Sequence, residues 1–367
     1  MDTNSGKHLG RRAGAAMAAA VMAGPLLVAS APAGAQQATQ WTYASGWPKE
    51  HVQVGVVADE WIRRIEDATE GRLKIRHVPG GALLKSEATL DGVRKGVATC
   101  GPWVTSYKPG ALPITTTLMG SMDLDLGNRL DLKGIMAINN RLFNEFPEFR
   151  QEFEKLGLRA MVWVPTAPYI IISRKETRNL DDLKGQKLRA FGSVLPKFQQ
   201  AMGAVPVSVA NAEMYTSIQT GVIDGAMTDA AQMVTARLQE IAKHLLVTGP
   251  TDGTYLAGAS VVYLCNADAV AALPEADQRK IEEVTVGMFD YIDKAMSDTS
   301  KQGLERLKAD GVTVSHLSKA DLETLHAKAP LFDESAKLLD ERGLPGTRMA
   351  QRYRELAEEY LSGRWKP

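Results

Sequence analysis

Between Leu183 and Gly225 the chain reads LKGQKLRAFGSVLPKFQQAMGAVPVSVANAEMYTSIQTGVIDG, a strand, helix, strand, helix and strand in quick succession. This alternation is the pattern of an α/β fold, in which ligands collect in the crevice at the carboxyl ends of the strands. Arg189 sits where the first of these strands ends. A fixed cation there, with no catalytic partner close in sequence, points to capture of an anion rather than chemistry on it.

Several fixed spacings in the segment agree with one another. They are Asp182-Leu183-Lys184-Gly185, Lys187-Leu188-Arg189, Met202-Gly203-Ala204-Val205-Pro206-Val207, Glu213-Met214-Tyr215 and Gln219-Thr220-Gly221-Val222-Ile223-Asp224-Gly225. The chain resembles the substrate-binding proteins of TRAP transporters, the DctP-type extracytoplasmic receptors. TEGRLKI, GGALLKSEATLDGVRKGVA and YKPGALPI match further segments of that family, with a departure at Thr99, where many members carry aspartate. The resemblance implies an α/β, two-lobed periplasmic-binding-protein-like fold with a long helix spanning both lobes. Lobe I is expected over 36–166 and 254–293, and lobe II over 167–253 and 294–367.

The first 35 residues are read as a secretory signal, not as part of the fold. Lys7, Arg11 and Arg12 form a basic start, Ala13 to Ser30 is an apolar run broken at Gly24-Pro25, and Ala33-Gly34-Ala35 is a small-x-small cleavage site. The uninterrupted apolar stretch is short for a membrane span. Arg11-Arg12 hints at twin-arginine export, but Ala13-Gly14 follows instead of bulky apolar residues, which favours the general route. The remainder suits two lobes of roughly 150 residues each. The chain carries 43 Lys and Arg against 43 Asp and Glu. That balance gives no support to a nucleic-acid partner, and no polybasic run marks a membrane surface.

Periodicity places strands at Gln40–Ala44, Leu73–His77, Val97–Gly101, Leu158–Pro165, Tyr169–Arg174, Leu245–Val247 and Ala259–Leu264. A strand at Val222–Ile223 is expected to end at Asp224-Gly225 and open toward a helix. Val52 to Thr69 reads as a helix, Ser86 is a candidate cap for a helix running to Lys95, and 123–153 is helical. Pro274 opens a helix at no cost in hydrogen bonds, and Glu275 to Asp310 reads as one long helix. Ala320 to Leu361 is amphipathic and helical.

Cys100 and Cys265 belong to no CxxC or Cys/His cluster, so no metal site is expected. They read either as two buried small apolar side chains or as a disulfide, which an oxidising export compartment permits. The resemblance puts both in strands of one lobe.

The resemblance gives Arg189 the task of clamping a substrate carboxylate. A guanidinium suits that task because its planar fork of donors meets a carboxylate in two places. Thr228 stands where the family often places an asparagine that touches ligand, and Asp229 is either a helix terminus or a contact for a hydroxyl or amine. Tyr169 replaces an arginine of sialic-acid-binding relatives, which removes one cation and leaves a less polar wall. Trp47, His51, Trp103 and Tyr107 lie near strand ends of the first lobe, Trp163 and Phe191 near the crossing point and the Arg189 strand, and Tyr255 near a hinge. The candidate site is therefore Arg189, Phe191, Thr228, Asp229, Tyr169, Trp103, Trp47, Trp163, Tyr255 and His51, with no catalytic residue.

The expected function is a periplasmic receptor that captures an organic acid and delivers it to the integral membrane subunits of a TRAP transporter, without reaction or cofactor. A ligand-sensing module for a signalling partner is the alternative. An exported enzyme is less favoured, since no GxSxG, HExxH, GxxxxGK[ST] or GxGxxG is present and the six histidines are scattered.

Overall fold

The structure, a computed structural model, describes residues 38–365 apart from 109, 122–129, 193 and 253–259. The expected export signal over 1–35 and the site candidate Tyr255 lie outside the described residues. The strands are β1 (Thr39–Ala44), β2 (Leu73–Val78), β3 (Cys100–Val104), β4 (Leu158–Pro165), β5 (Ile170–Ser173), β6 (Lys187–Ala190), β7 (Val205–Ser208), β8 (Gly225–Thr228), β9 (His244–Val247), β10 (Ser260–Asn266) and β11 (Thr313–His316). The helices are α1 (Val57–Ala68), α2 (Thr89–Arg94), α3 (Leu132–Glu145), α4 (Pro147–Glu154), α5 (Val194–Ala201), α6 (Met214–Gln219), α7 (Ala230–Thr235), α8 (Ala267–Ala271), α9 (Glu275–Val286), α10 (Phe289–Ala309), α11 (Lys319–Lys328), α12 (Leu331–Asp340) and α13 (Gly346–Leu361).

Two sheets result. The first has the order β2-β1-β3-β10-β4 and the second β11-β9-β5-β8-β6-β7. The chain leaves the first sheet after β4, builds β5 to β9 in the second, and returns as β10 between β3 and β4. β10 runs antiparallel to both of its neighbours, and β5 antiparallel to β8 and β9; the other pairs are parallel. The second sheet is covered on both faces, as an unbroken apolar strand requires. Ile170 and Ile172 of β5, Ala226 of β8 and Leu245 and Val247 of β9 pack into one core. Their neighbours Ile171, Met227 and Leu246 turn to the other core, which also holds the first sheet. The alternation follows from the two-residue repeat of a strand.

α10 ties the two cores together. Phe289, Ile292 and Met296 are buried in the core of the first sheet, Leu304 and Leu307 in that of the second. Gly303 permits the contact: a Cβ there would lie 2.7 Å from the Ala231 nitrogen at the start of α7. The expected single helix over 275–310 is two. The helical ladder ends at Gly287, where α9 is capped at φ −65°, ψ −4°, and α10 starts afresh. Glycine's low helix propensity makes Gly287 a weak point at this end.

Other expectations shift. β3 begins at Cys100 and ends at Val104, three residues later than its apolar pattern suggests. Val222 is 54% exposed and lies outside any strand. β8 instead follows Asp224, starting at Gly225, where any Cβ would come within 2.2 Å of the Ile172 carbonyl oxygen on β5. Ser86 does not cap its helix. It lies inside a 3-10 turn, and the turn and α2 have no side-chain cap. β11 was not foreseen. α13 packs on α3: Tyr360 Oη donates to Asp131 at 2.8 Å, and Arg352 pairs with Glu145 at 2.9 Å.

The cysteine question is settled by register. Cys265 of β10 stands directly opposite Cys100 of β3, their Cα atoms 4.1 Å apart, and the two form a disulfide. The bridge closes a loop with a sequence separation of 165 residues. In the chain-entropy picture a loop of that length stabilises the fold by about 5 kcal/mol. Replacing both cysteines with serine is expected to lower the urea midpoint substantially, and reductant should then have no further effect. An unchanged midpoint would contradict this.

Candidate functional site

Parallel strands from both sheets direct their carboxyl ends at one cleft of about 550 Å³. β1 leads to Trp47, β3 to Tyr107, β6 to Arg189 and Phe191, β7 to Val209, and β8 to Thr228 and Asp229; all of these line the cleft. The antiparallel strands meet it with their starts, through Tyr169 before β5 and Val261 of β10. Met296 and Thr299 of α10 close one side. Such a crevice at strand ends is where an α/β protein binds ligand.

Arg189 is only 7% exposed. Its position is held from several sides. Its carbonyl oxygen accepts from Gln199 Nε2 at 2.8 Å, and its Nε donates to the Val209 carbonyl at 3.2 Å. Phe191 turns its ring face to the guanidinium, 4.5 Å from centroid to Cζ. Burial pushes the guanidinium pKa below its ordinary value, and the nearby Tyr169 and Tyr107 partly oppose this. Among the described residues no carboxylate pairs with Arg189. A desolvated cation without a counter-charge is costly, and an anion entering the cleft relieves that cost.

Aromatic rings form the walls around it. Tyr169 meets Phe191 edge to face at 6.2 Å, and Trp47 stacks on Tyr107 at 6.4 Å. Burial raises the Tyr169 hydroxyl pKa well above its ordinary range, and Asp229 adds to the effect. His51 precedes a turn of π-helix over Val52–Val56 and has a buried Nδ1 with no partner among the described residues. π-turns interrupt helices at functional sites more often than elsewhere.

The structure thus brings Arg189, Phe191, Tyr169, Thr228, Asp229, Trp47 and His51 together along one cleft. It does not bring Trp103 or Trp163 there. Trp103 is a strand residue, not a loop residue, and is fully buried. Trp103 and Trp163 both stand opposite Val262 and so share its face of the sheet. Trp163 packs there among Phe143, Phe149 and Phe153 at 5.6–6.2 Å. Their neighbours Val104 and Val261 face the cleft instead, because one step along a strand reverses the side chain. Asp224 sits at the far end of β8, where it accepts from the Lys187 nitrogen at 2.8 Å and pairs with Lys175 at 3.0 Å. Glu87, Gln232, Met296 and Thr299 were missed. They reach the cleft only through tertiary packing and carry no local signal. Tyr107 follows β3 as Trp47 follows β1, a signal that sequence does contain.

The family described as bacterial extracellular solute-binding protein, family 7 (DctP), matches residues 43–337. The chain belongs to this family. A solute-binding protein of Albidiferax ferrireducens is 26% identical over 57% of this chain and 60% of its own length. The ectoine-binding periplasmic protein TeaA of Halomonas elongata is 24% identical over 58% and 62%. The match therefore spans about three fifths of those two relatives. The C4-dicarboxylate-binding periplasmic protein DctP of Rhodobacter capsulatus is 25% identical over 74% of this chain and 79% of its own. Among solved structures, a TRAP periplasmic solute binding protein of Bordetella bronchiseptica with bound (R)- and (S)-mandelate has a TM-score of 0.76 at 21% identity, covering 88% of this chain and 99% of that one. A marine metagenome TRAP solute binding protein specific for aromatic acid ligands, in complex with 3-hydroxybenzoate, has a TM-score of 0.77 at 18% identity over the same shares. These structures share the two-lobed fold with this family-7 protein. No helix among its described residues is long and apolar enough to cross a membrane.

One pH effect follows from the site. Burial lowers the His51 pKa from 6.5 to about 4, against a smaller opposing backbone hydrogen bond. Between these values the unfolded chain holds a proton that the folded chain does not. The stabilisation is complete above pH 6.5 and is lost as the pH falls to about 4. It amounts to at most about 3 kcal/mol. In urea titrations, His51→Gln is expected to show a smaller loss of stability than the native protein between pH 7 and pH 4.5. Equal losses would contradict the assignment.

Proposed function

We propose that this family-7 protein is an extracytoplasmic receptor that captures an organic monocarboxylate and presents it to the membrane subunits of a TRAP transporter. Export by a cleaved signal within 1–35 is part of the same reading, and so is closure of two lobes, each built around one sheet, over the ligand. The observation that carries it is Arg189, a desolvated cation facing the cleft with no carboxylate partner among the described residues.

A single carboxylate is favoured over two by the charges of the wall. Among the described lining residues Arg189 is the one Lys or Arg, while Glu50, Glu87 and Asp229 are acidic. A second carboxylate on the ligand would face like charge. Phe191, Tyr169, Trp47 and Tyr107 suit a flat, apolar body, as aromatic-lined small-molecule sites do. Relatives named for binding C4-dicarboxylates and ectoine, and structural neighbours holding mandelate and 3-hydroxybenzoate, support an organic-acid ligand. Ligand binding shifts the open–closed equilibrium by its preference for the closed form.

Arg189→Ala is expected to weaken binding of an aromatic monocarboxylate roughly 10- to 100-fold, the loss of a charge-assisted contact of about 1.5–3 kcal/mol. Calorimetry measures the affinity, and circular dichroism checks that the fold is retained. Unchanged affinity in a folded variant would remove Arg189 from the site.

A further inference from the structure

We propose that the ligand carries, beside its carboxylate, an N–H or O–H donor that Asp229 reads, so that the cleft prefers zwitterionic or hydroxylated aromatic acids to plain ones. This rests on the monocarboxylate reading above and adds a second recognition pole to it.

Asp229 lies at the carboxyl end of β8, on the strand next to that of Arg189. Arg189 stands opposite Ala226, so Asp229 is three residues further along a parallel neighbour. Strand geometry then puts their Cα atoms roughly 11 Å apart. Tyr169, just before β5 on the other side of β8 from Arg189, feels the charge of both. The cleft therefore holds a cation at one point and an anion at another, each without an opposite charge from the protein among the described residues.

The carboxylate of Asp229 is bonded by backbone N–H groups of its own turn, chiefly Gln232 at 2.8 Å, and by no cation among the described residues. That bond caps α7. Asparagine or serine would cap as well without a charge, so capping does not account for the carboxylate. Glu50 and Glu87 also border the cleft, but both are exposed and water screens them. Asp229 is half-buried in the cleft wall, and this burial pushes its carboxyl pKa up. A partly buried anion of this kind is stabilised by a donor or positive group, and Asp229 lines the cleft where the ligand would supply one.

The test uses benzoate, 3-hydroxybenzoate and 3-(aminomethyl)benzoate as probes, with calorimetry on the native protein and on Asp229→Asn. Asparagine keeps the cap and isolates the charge. The native protein is expected to bind at least one donor-bearing acid about tenfold or more tightly than benzoate, and Asp229→Asn to reduce that ratio to within about threefold. A gain for the ammonium compound alone would assign a zwitterion, and a gain for the phenol alone a hydroxy acid. Equal binding of plain and donor-bearing acids, or a ratio unchanged in Asp229→Asn, would overturn the second pole while leaving the carboxylate reading intact. Binding of none of the three would overturn both.

Discussion

The site depends on a positive charge kept in place where little water reaches it. In a mostly buried position a guanidinium loses much of its hydration, and a carboxylate paired with it there would normally compensate. Arg189 has instead a carbonyl oxygen, an aromatic face and two phenols around it. These hold its orientation without neutralising it. The rigidity comes from the sheet, since Arg189 lies on a strand hydrogen-bonded on both sides by β7 and β8. A preorganised donor of this type loses little entropy when its ligand arrives.

The cleft itself is a consequence of chain routing. β10 returns from the second sheet to the middle of the first, where the disulfide fixes it to β3. α10 then carries the chain back, with Gly303 allowing close contact with α7. Both cores are thus built from segments distant in sequence, and the carboxyl ends of their parallel strands converge between them. The walls are supplied by residues just beyond those ends, such as Trp47, Tyr107, Phe191 and Asp229.

Much of this could be read from local pattern. β4 was placed to the residue, and the repeats of α/β alternation located Arg189 at a strand end. Trp103 and Trp163 show where the reading failed. Their closeness to strand ends was correct, but the face they occupy depends on register, and a three-residue shift in β3 turned Trp103 from a loop residue into core. Val222 misled for a related reason: two β-branched residues before Asp224 look like a strand, yet the close approach of β8 to β5 needs Gly225 inside the ladder. Spacing alone does not pair Cys100 with Cys265, because it says nothing about which strands lie side by side.

By itself, then, the amino-acid order determined most of the element types, the α/β class and the residue near the end of β6, since these follow from periodicity and from Gly and Pro within a few residues. Only the tertiary structure decided which aromatic rings turn to the cleft, that Asp229 stands there without a cation among the described residues, and that two cysteines far apart in the chain are neighbours. The reason is that side-chain direction in a sheet reverses with every residue, so a small change in register, invisible in composition, exchanges wall and core.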